Sequence, residues 1–138
     1  MDKALNYLAL AKKGRLIELG EEPVGAITRA VKGRLVIVAS DASDHTWRRA
    51  KSFVAGTDQQ CLRVPFTKEE LGFVVGRTSL AIAAFTDAAM ALAFVNALPD
   101  QEKVKEVRET LDAKSRKLRQ RKDEAKAHER NVRLGKKK

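Results

Sequence analysis

Apolar positions at helical spacing open the chain. Leu5, Leu8 and Ala9 recur on one face, and Gly14 stands where a left-handed C-cap would close the helix. This predicts a first helix over about residues 2–13. RLIEL, residues 15–19, reads as a short extended segment ending at Gly20. Val24, Ile27 and Val31 then fall at i, i+3 and i+7, which predicts a second helix running from Gly20 to Gly33. Pro23 lies in its first turn, where the early N–H groups have no intrahelical partner to lose. Glu21 and Glu22 open the same turn, and the helix dipole favours carboxylates there.

RLVIVAS, residues 34–40, is a continuous β-branched run, the mark of a strand covered on both faces. Ser43 is placed to cap a helix that stops at Gly56. CLRVPF (61–66) predicts a second, weaker strand with Pro65 near its end. Thr67 and Glu70 have the spacing of a capping box, opening a helix through about Val75. SLAIAAFT (79–86) predicts a third buried strand, and Thr86 or Asp87 caps a helix that Pro99 ends. Strands separated by helical crossovers imply an α/β fold: a three-layer α/β/α sandwich with a mostly parallel central sheet.

From Gln101 the pattern changes. Val104, Val107, Leu111 and Leu118 keep an amphipathic stripe, but KSRKLRQRK (114–122) is almost wholly basic and the stripe fades beyond Leu118. The expectation is one α/β domain over 1–100 and a basic tail over 101–138. The tail is expected to be helical or partly disordered, docking weakly or free and fraying into a disordered GKKK end.

Charge follows the same division. Of the 28 Lys+Arg and 18 Asp+Glu, residues 1–100 hold 13 and 11, whereas 101–138 hold 15 and 7, so the tail carries most of the net +10. Such a tail favours polyanions, with a merely solvated tail as the plain alternative. No apolar stretch is long enough to cross a membrane. The lone Cys61 excludes an internal disulfide and suits a reducing cytoplasm. No metal site, cofactor motif or small-molecule site is legible. His45 and His128 stand apart from other ligand types, and no Walker loop or G-x-G-x-x-G is present. His45 reads as a surface helix residue, Cys61 as a small buried hydrophobe, and Trp47 as part of a core stripe with Ala50 and Val54. No catalytic constellation is assembled, so the chain is read as a non-enzyme.

LVIVASDAS (35–43), TKEELG (67–72) and the GRTSLAIAAFTD strand, at their mutual spacing and after a glycine that opens helix two, resemble the ribosomal protein seven-Ae/thirty-e/Gadd-forty-five family. The nearest likeness is to its bacterial ribosomal-protein-like branch. The resemblance covers about residues 3–98. It implies binding to RNA kink-turns, without metal or cofactor, through the start of helix two and the loop before the last strand. In that family an Asn-Glu pair and a Lys one turn later read guanine edges, pairings that suit guanine's donors and acceptors. Aligned without gaps, those positions here are Glu22, Pro23 and Ala26, and none carries the family's residue; Glu22 alone keeps an acceptor. A gapped shift would instead place Thr28 and Arg29 where the family has Thr-Lys. In the second region Arg77, Thr78 and Ser79 replace a small apolar loop, which suits phosphate or sugar contacts.

The leading expectation is therefore a cytoplasmic, ribosome- or translation-associated protein that binds structured RNA. Gly20, Glu21, Glu22, Arg29, Lys32, Arg34, Arg77, Thr78 and Ser79 would form the contact surface. Lys114, Arg116, Lys117 and Arg119 would begin a tail of sequence-independent phosphate contacts. The alternative is a protein-interaction or dimerisation module, in which the amphipathic tail stripe binds a partner helix or self-associates.

Overall fold

The computed structural model describes residues 2–133, with six helices and four strands among them. Helix α1 (Lys3–Lys13) is capped by Asp2, whose carboxylate accepts from Ala4 N at 2.8 Å, and it buries Ala4, Leu5, Leu8 and Ala11. Gly14 does not supply the left-handed turn expected of it: its φ is −84°, and Arg15 takes φ 58° instead. The chain turns one residue later, which leads Leu16 into strand β1 (Ile17–Leu19).

Gly20, at φ 95°, joins β1 to α2 (Glu21–Arg29), a conformation that L side chains rarely adopt. Helix α2 stops at Arg29, short of Gly33. Val31 turns left-handed at φ 56° and is 50% exposed, so it lies off the buried stripe of Val24, Gly25 and Thr28. Buried Gln59 organises this turn: its side-chain amide donates to the Thr28 carbonyl at 3.1 Å and its oxygen accepts from Gly33 N at 2.8 Å. A helix continued to Gly33 would forfeit both bonds.

Strand β2 (Leu35–Val38) follows, then α3 (Asp44–Val54), β3 (Gln60–Arg63), α4 (Lys68–Val74), β4 (Ile82–Phe85) and α5 (Ala88–Asn96). Ser43 caps α3, Asp87 caps α5, and both halves of the Thr67–Glu70 box are formed at α4. Every residue of β2 and β4 is buried. Successive strand residues face opposite ways, so both sheet faces are covered. Helices α2 and α3 pack together, while α1 packs against α4 and α5.

The sheet is mixed, not mostly parallel. Its order is β1-β4-β2-β3; β2 and β3 are parallel, and β4 is antiparallel to both β1 and β2. The expectation failed at α4. A parallel crossover must carry the chain back across the sheet, but this helix has only seven residues, roughly 10 Å of rise. The loop after it folds back, so that Leu80 N donates to the Lys68 carbonyl at 2.9 Å. The chain enters β4 from the end at which β3 finished.

Helix α6 (Lys105–Arg133) continues the chain. Its first turns do not dock weakly. Val104, Leu111 and Ser115 are buried, and the helix lies against α5 and β3. Residues 116–127 are exposed, and the expected GKKK end lies outside the described residues.

Candidate nucleic-acid interface

The topology gives the sheet two ends of different make-up. At the first, β1 finishes and β4 begins: Gly20 N donates to the Ile82 carbonyl at 3.0 Å, and Ala39 N to Ala81 at 2.9 Å. The loop carrying Arg77, Thr78 and Ser79 is held there by Gly72 of α4. A β-carbon on Gly72 would stand 2.8 Å from both the Arg77 carbonyl and Ser79 N. No other residue allows this approach. The Arg77 side chain reaches across to the start of α2, its Nη1 3.6 Å from where a β-carbon on Gly20 would sit. Arg77, Lys12, Arg15, Glu18 and Pro23 line an open groove of about 430 Å³. Thr78 and Ser79 are exposed beside it, and Glu21, Glu22, Pro23 and Ala26 are exposed on α2.

A second groove, of about 350 Å³, runs between α2 and α3 and is lined by Glu21, Glu22, Gly25, Arg29, Arg49 and Phe53. Arg49 Nε donates to Glu21 Oε1 at 2.6 Å, and its guanidinium lies 5.1 Å from the Phe53 ring centre. Arg29 thus borders a groove with acids on one side and an aromatic ring at its floor. Thr28 is excluded from any such role. It is buried, and its hydroxyl donates to the Val24 and Gly25 carbonyls at 2.8 and 3.1 Å, which removes the gapped alignment's threonine from the surface.

Lys32 and Arg34 lie at the other end. Arg34 N donates to the carbonyl of Phe85, the last residue of β4, and its own carbonyl accepts from Gln60 N. Because α2 runs the length of the sheet, its start and the residues beyond it cannot share one surface. Lys114 of α6 joins this second end, its Nζ 2.9 Å from Asp58 Oδ2. The hydrogen bond from Lys114 holds the Asp58 carboxyl below its usual range against a small opposing effect of burial, with Lys114 and Arg34 charge also favouring the anion. Arg116 pairs with Asp112 at 2.9 Å, while Lys117 and Arg119 are exposed further along α6.

The residues expected to form one surface are thus divided. Gly20, Glu21, Glu22, Arg77, Thr78 and Ser79 come together; Lys32, Arg34 and Lys114 gather opposite; Arg29 lies between. Sequence reading missed Lys12, Arg15 and Arg49. Nothing local marks the first two: they precede β1, whose start pairs with the end of β4, so they lie toward the Arg34 end and share with Arg77 only the groove that runs along β1. Trp47 is half-buried against the core, with Lys51 Nζ 5.6 Å and Arg63 Cζ 5.3 Å from its ring centre. Burial pushes the Cys61 thiol up to about 12, against a smaller opposing effect of Lys51, which leaves it a poor nucleophile. His45 is exposed on α3, and among the described residues no His/Cys/Asp/Glu cluster could hold a metal and no helix is long and apolar enough to cross a membrane.

No family model matches the chain. Among the solved structures that share its fold are two from different organisms. One is a Bacillus halodurans protein of unknown function (24% identity, TM-score 0.66), matched over 72% of this chain and 100% of that one. The other is a Giardia lamblia 15.5kD RNA-binding protein (18% identity, TM-score 0.54), matched over 76% of this chain and 87% of that one. Among curated proteins, the RNA-binding protein YlxQ of Enterococcus faecium is 31% identical over 75 residues, which is 54% of this chain and 72% of YlxQ. At that identity and coverage, the chain belongs to the family of the YlxQ protein.

Proposed function

We propose that this protein binds structured RNA without catalysing a reaction on it. The observation that carries this reading is the meeting of Arg77 with Gly20, which joins the start of α2 and the loop before β4 into one surface, from which a groove runs along β1 to Lys12 and Arg15. Cations there would hold phosphates and fix the register, while Glu21 and Glu22 could accept from base amino groups. The YlxQ relationship and the resemblance to the seven-Ae/thirty-e family support the same partner. Pro23 and Ala26 offer no polar side-chain group, so the guanine-reading set of that family is not rebuilt here. The proposal is accordingly RNA shape and backbone recognition in the cytoplasm, on ribosomal or other translation-linked RNA, with kink-turn preference much reduced.

Titrating the full-length protein against a kinked RNA, and against a straight duplex of equal length, tests this. R77E should weaken binding to the structured RNA at least tenfold. Unchanged affinity would remove this surface from the reading.

A second reading has one observation in its favour. Phe73 is 77% exposed and, with Leu5, Val74, Glu69 and Glu70, lines an apolar groove of about 580 Å³ that could seat a protein partner. The tail stripe is no longer available for it in full, because Val104 and Leu111 are spent on the protein's own core. Light scattering across a hundredfold concentration range separates self-association from a strict monomer.

A further inference from the structure

We infer that the protein holds two separate RNA segments at once, one at each end of its sheet. This rests on the RNA-binding reading above and goes beyond it.

The argument is one of direction. Helix α6 enters beside the C-terminal end of α5, where the Gln101 side-chain amide donates to the Val95 and Leu98 carbonyls and its oxygen accepts from Arg108. It then runs antiparallel to α5, and Lys114 arrives at Asp58, next to the start of β3. That is the Arg34 end, opposite Arg77. From Lys114 the helix continues to Arg133, roughly 28 Å at 1.5 Å per residue. Its exposed cations Lys117, Arg119, Arg121 and Lys122 therefore project away from the Gly20–Arg77 surface. The strands alone separate the two ends by about 10 Å, and the projecting helix adds to that. This exceeds the screening length of about 8 Å at physiological salt, so each end attracts phosphate independently.

The two ends also differ in chemistry. At the first, Arg77 and Glu18 line one groove and Glu21, Glu22 and Arg49 the next, with Glu21 held by Arg49, so acceptors and donors alternate across the surface. The second is a rod whose run from Arg116 to Lys122 presents cations at five of seven positions, suited to any phosphate backbone. A selective anchor and an unselective arm pointing opposite ways would bring a second RNA segment to the first.

The test uses the full-length protein. A structured RNA is immobilised, saturated with protein and washed, and capture of a differently labelled duplex RNA is measured. One duplex retained per protein, with light scattering giving one protein copy per complex, is the expected result. With the duplex immobilised instead, R77E should be retained on it and capture at least tenfold less of the structured RNA. K117E/R119E/R121E/K122E should keep the first and retain at least tenfold less duplex. Circular dichroism confirms that both variants are folded. Displacement of the first RNA by the duplex, two protein copies per complex, or undiminished capture by the tail variant would each overturn the inference while leaving RNA binding intact. If the wild-type protein retains neither RNA, the RNA-binding reading fails with it.

Discussion

The two ends of the sheet are built by opposite means. At the Gly20 end, loops are set by close backbone approach: Gly72 lets the Arg77 loop lie on α4, and Lys68 N donates to Asp41 Oδ1 at 2.8 Å. Acids and bases there are mixed and held in place. At the Arg34 end, the ordered polar chemistry is buried, in Gln59, while the cations outside it lie on turns and on a projecting helix. Fixed geometry can discriminate among RNA shapes; exposed flexible cations supply attraction without discrimination. On the proposed RNA-binding reading, the contrast assigns selectivity to the first end and general attraction to the second.

Salt should break the comparison most visibly. If about 6–10 phosphates are neutralised across both ends, affinity falls by roughly three to five decades between 50 and 200 mM salt. Reversing Lys117, Arg119, Arg121 and Lys122 should lower the log–log salt slope by about three to four, while R77E lowers it by about one. Fluorescence anisotropy at four salt concentrations reads both slopes. R77E should also erase the preference for kinked over straight RNA, and the tail variant should preserve it. Equal effects on preference would dissolve the division.

Stability comes next. Leu111 is fully buried where α6 meets the core, so L111A should cost about 2–5 kcal/mol in urea unfolding. A loss below 1 kcal/mol would mean that the docked turns of α6 are not part of the cooperative unit. G72A should cost about 1–3 kcal/mol, because backbone at 2.8 Å cannot yield as a side-chain tip would. Its more telling effect is on binding: affinity for the structured RNA should drop as the Arg77 loop is displaced, with the salt slope falling by no more than about one, as for R77E.

Much of this fold was legible in the chain, for reasons that differ by element. The Ser43 and Thr67–Glu70 caps are local chemistry, written within four residues, and both formed as read. Strand β2 was legible because burial on both faces demands an unbroken apolar run. Strand direction was not, because it depends on whether the chain after α4 crosses the sheet or doubles back, and that is decided by Gly72 accepting a loop from outside its own helix. The same limit applies to the candidate site. Gly20 and Arg77 were legible through the resemblance. Lys12 and Arg15 were not, because the groove they share with Arg77 follows from the place of β1 at the edge of the sheet. Lys32 and Arg34 were grouped with them because they follow α2 in sequence, yet a nine-residue helix carries them to the far end. The stripe of Val104 and Leu111 was legible, but the firmness of its docking was not, because the basic residues around it favoured a tail held weakly or free.

The smallest predicted effect bears on the joint between body and tail. Lys114 and Asp58 form the last ion pair before α6 leaves the body, and Asp58 is well exposed. Its folded pKa is lowered, chiefly by the Lys114 hydrogen bond, from an ordinary 3.8. A depressed carboxyl contributes stability that is present above the unfolded value and is lost as pH falls through the folded one. D58N should therefore cost little at pH 6, about 0.2–1 kcal/mol as for other exposed pairs, and nothing once the wild-type carboxyl has been protonated well below pH 3.8. Thermal unfolding of both proteins at pH 6 and in acid checks the sign. The pair is screened by the same ions that weaken RNA binding. Amide exchange in residues 112–116 should consequently speed up with salt in the wild type and be salt-independent in D58N. If it did not, the joint would owe its order to Ser115 and Leu111 alone, and the direction of the tail would be set by packing instead of charge.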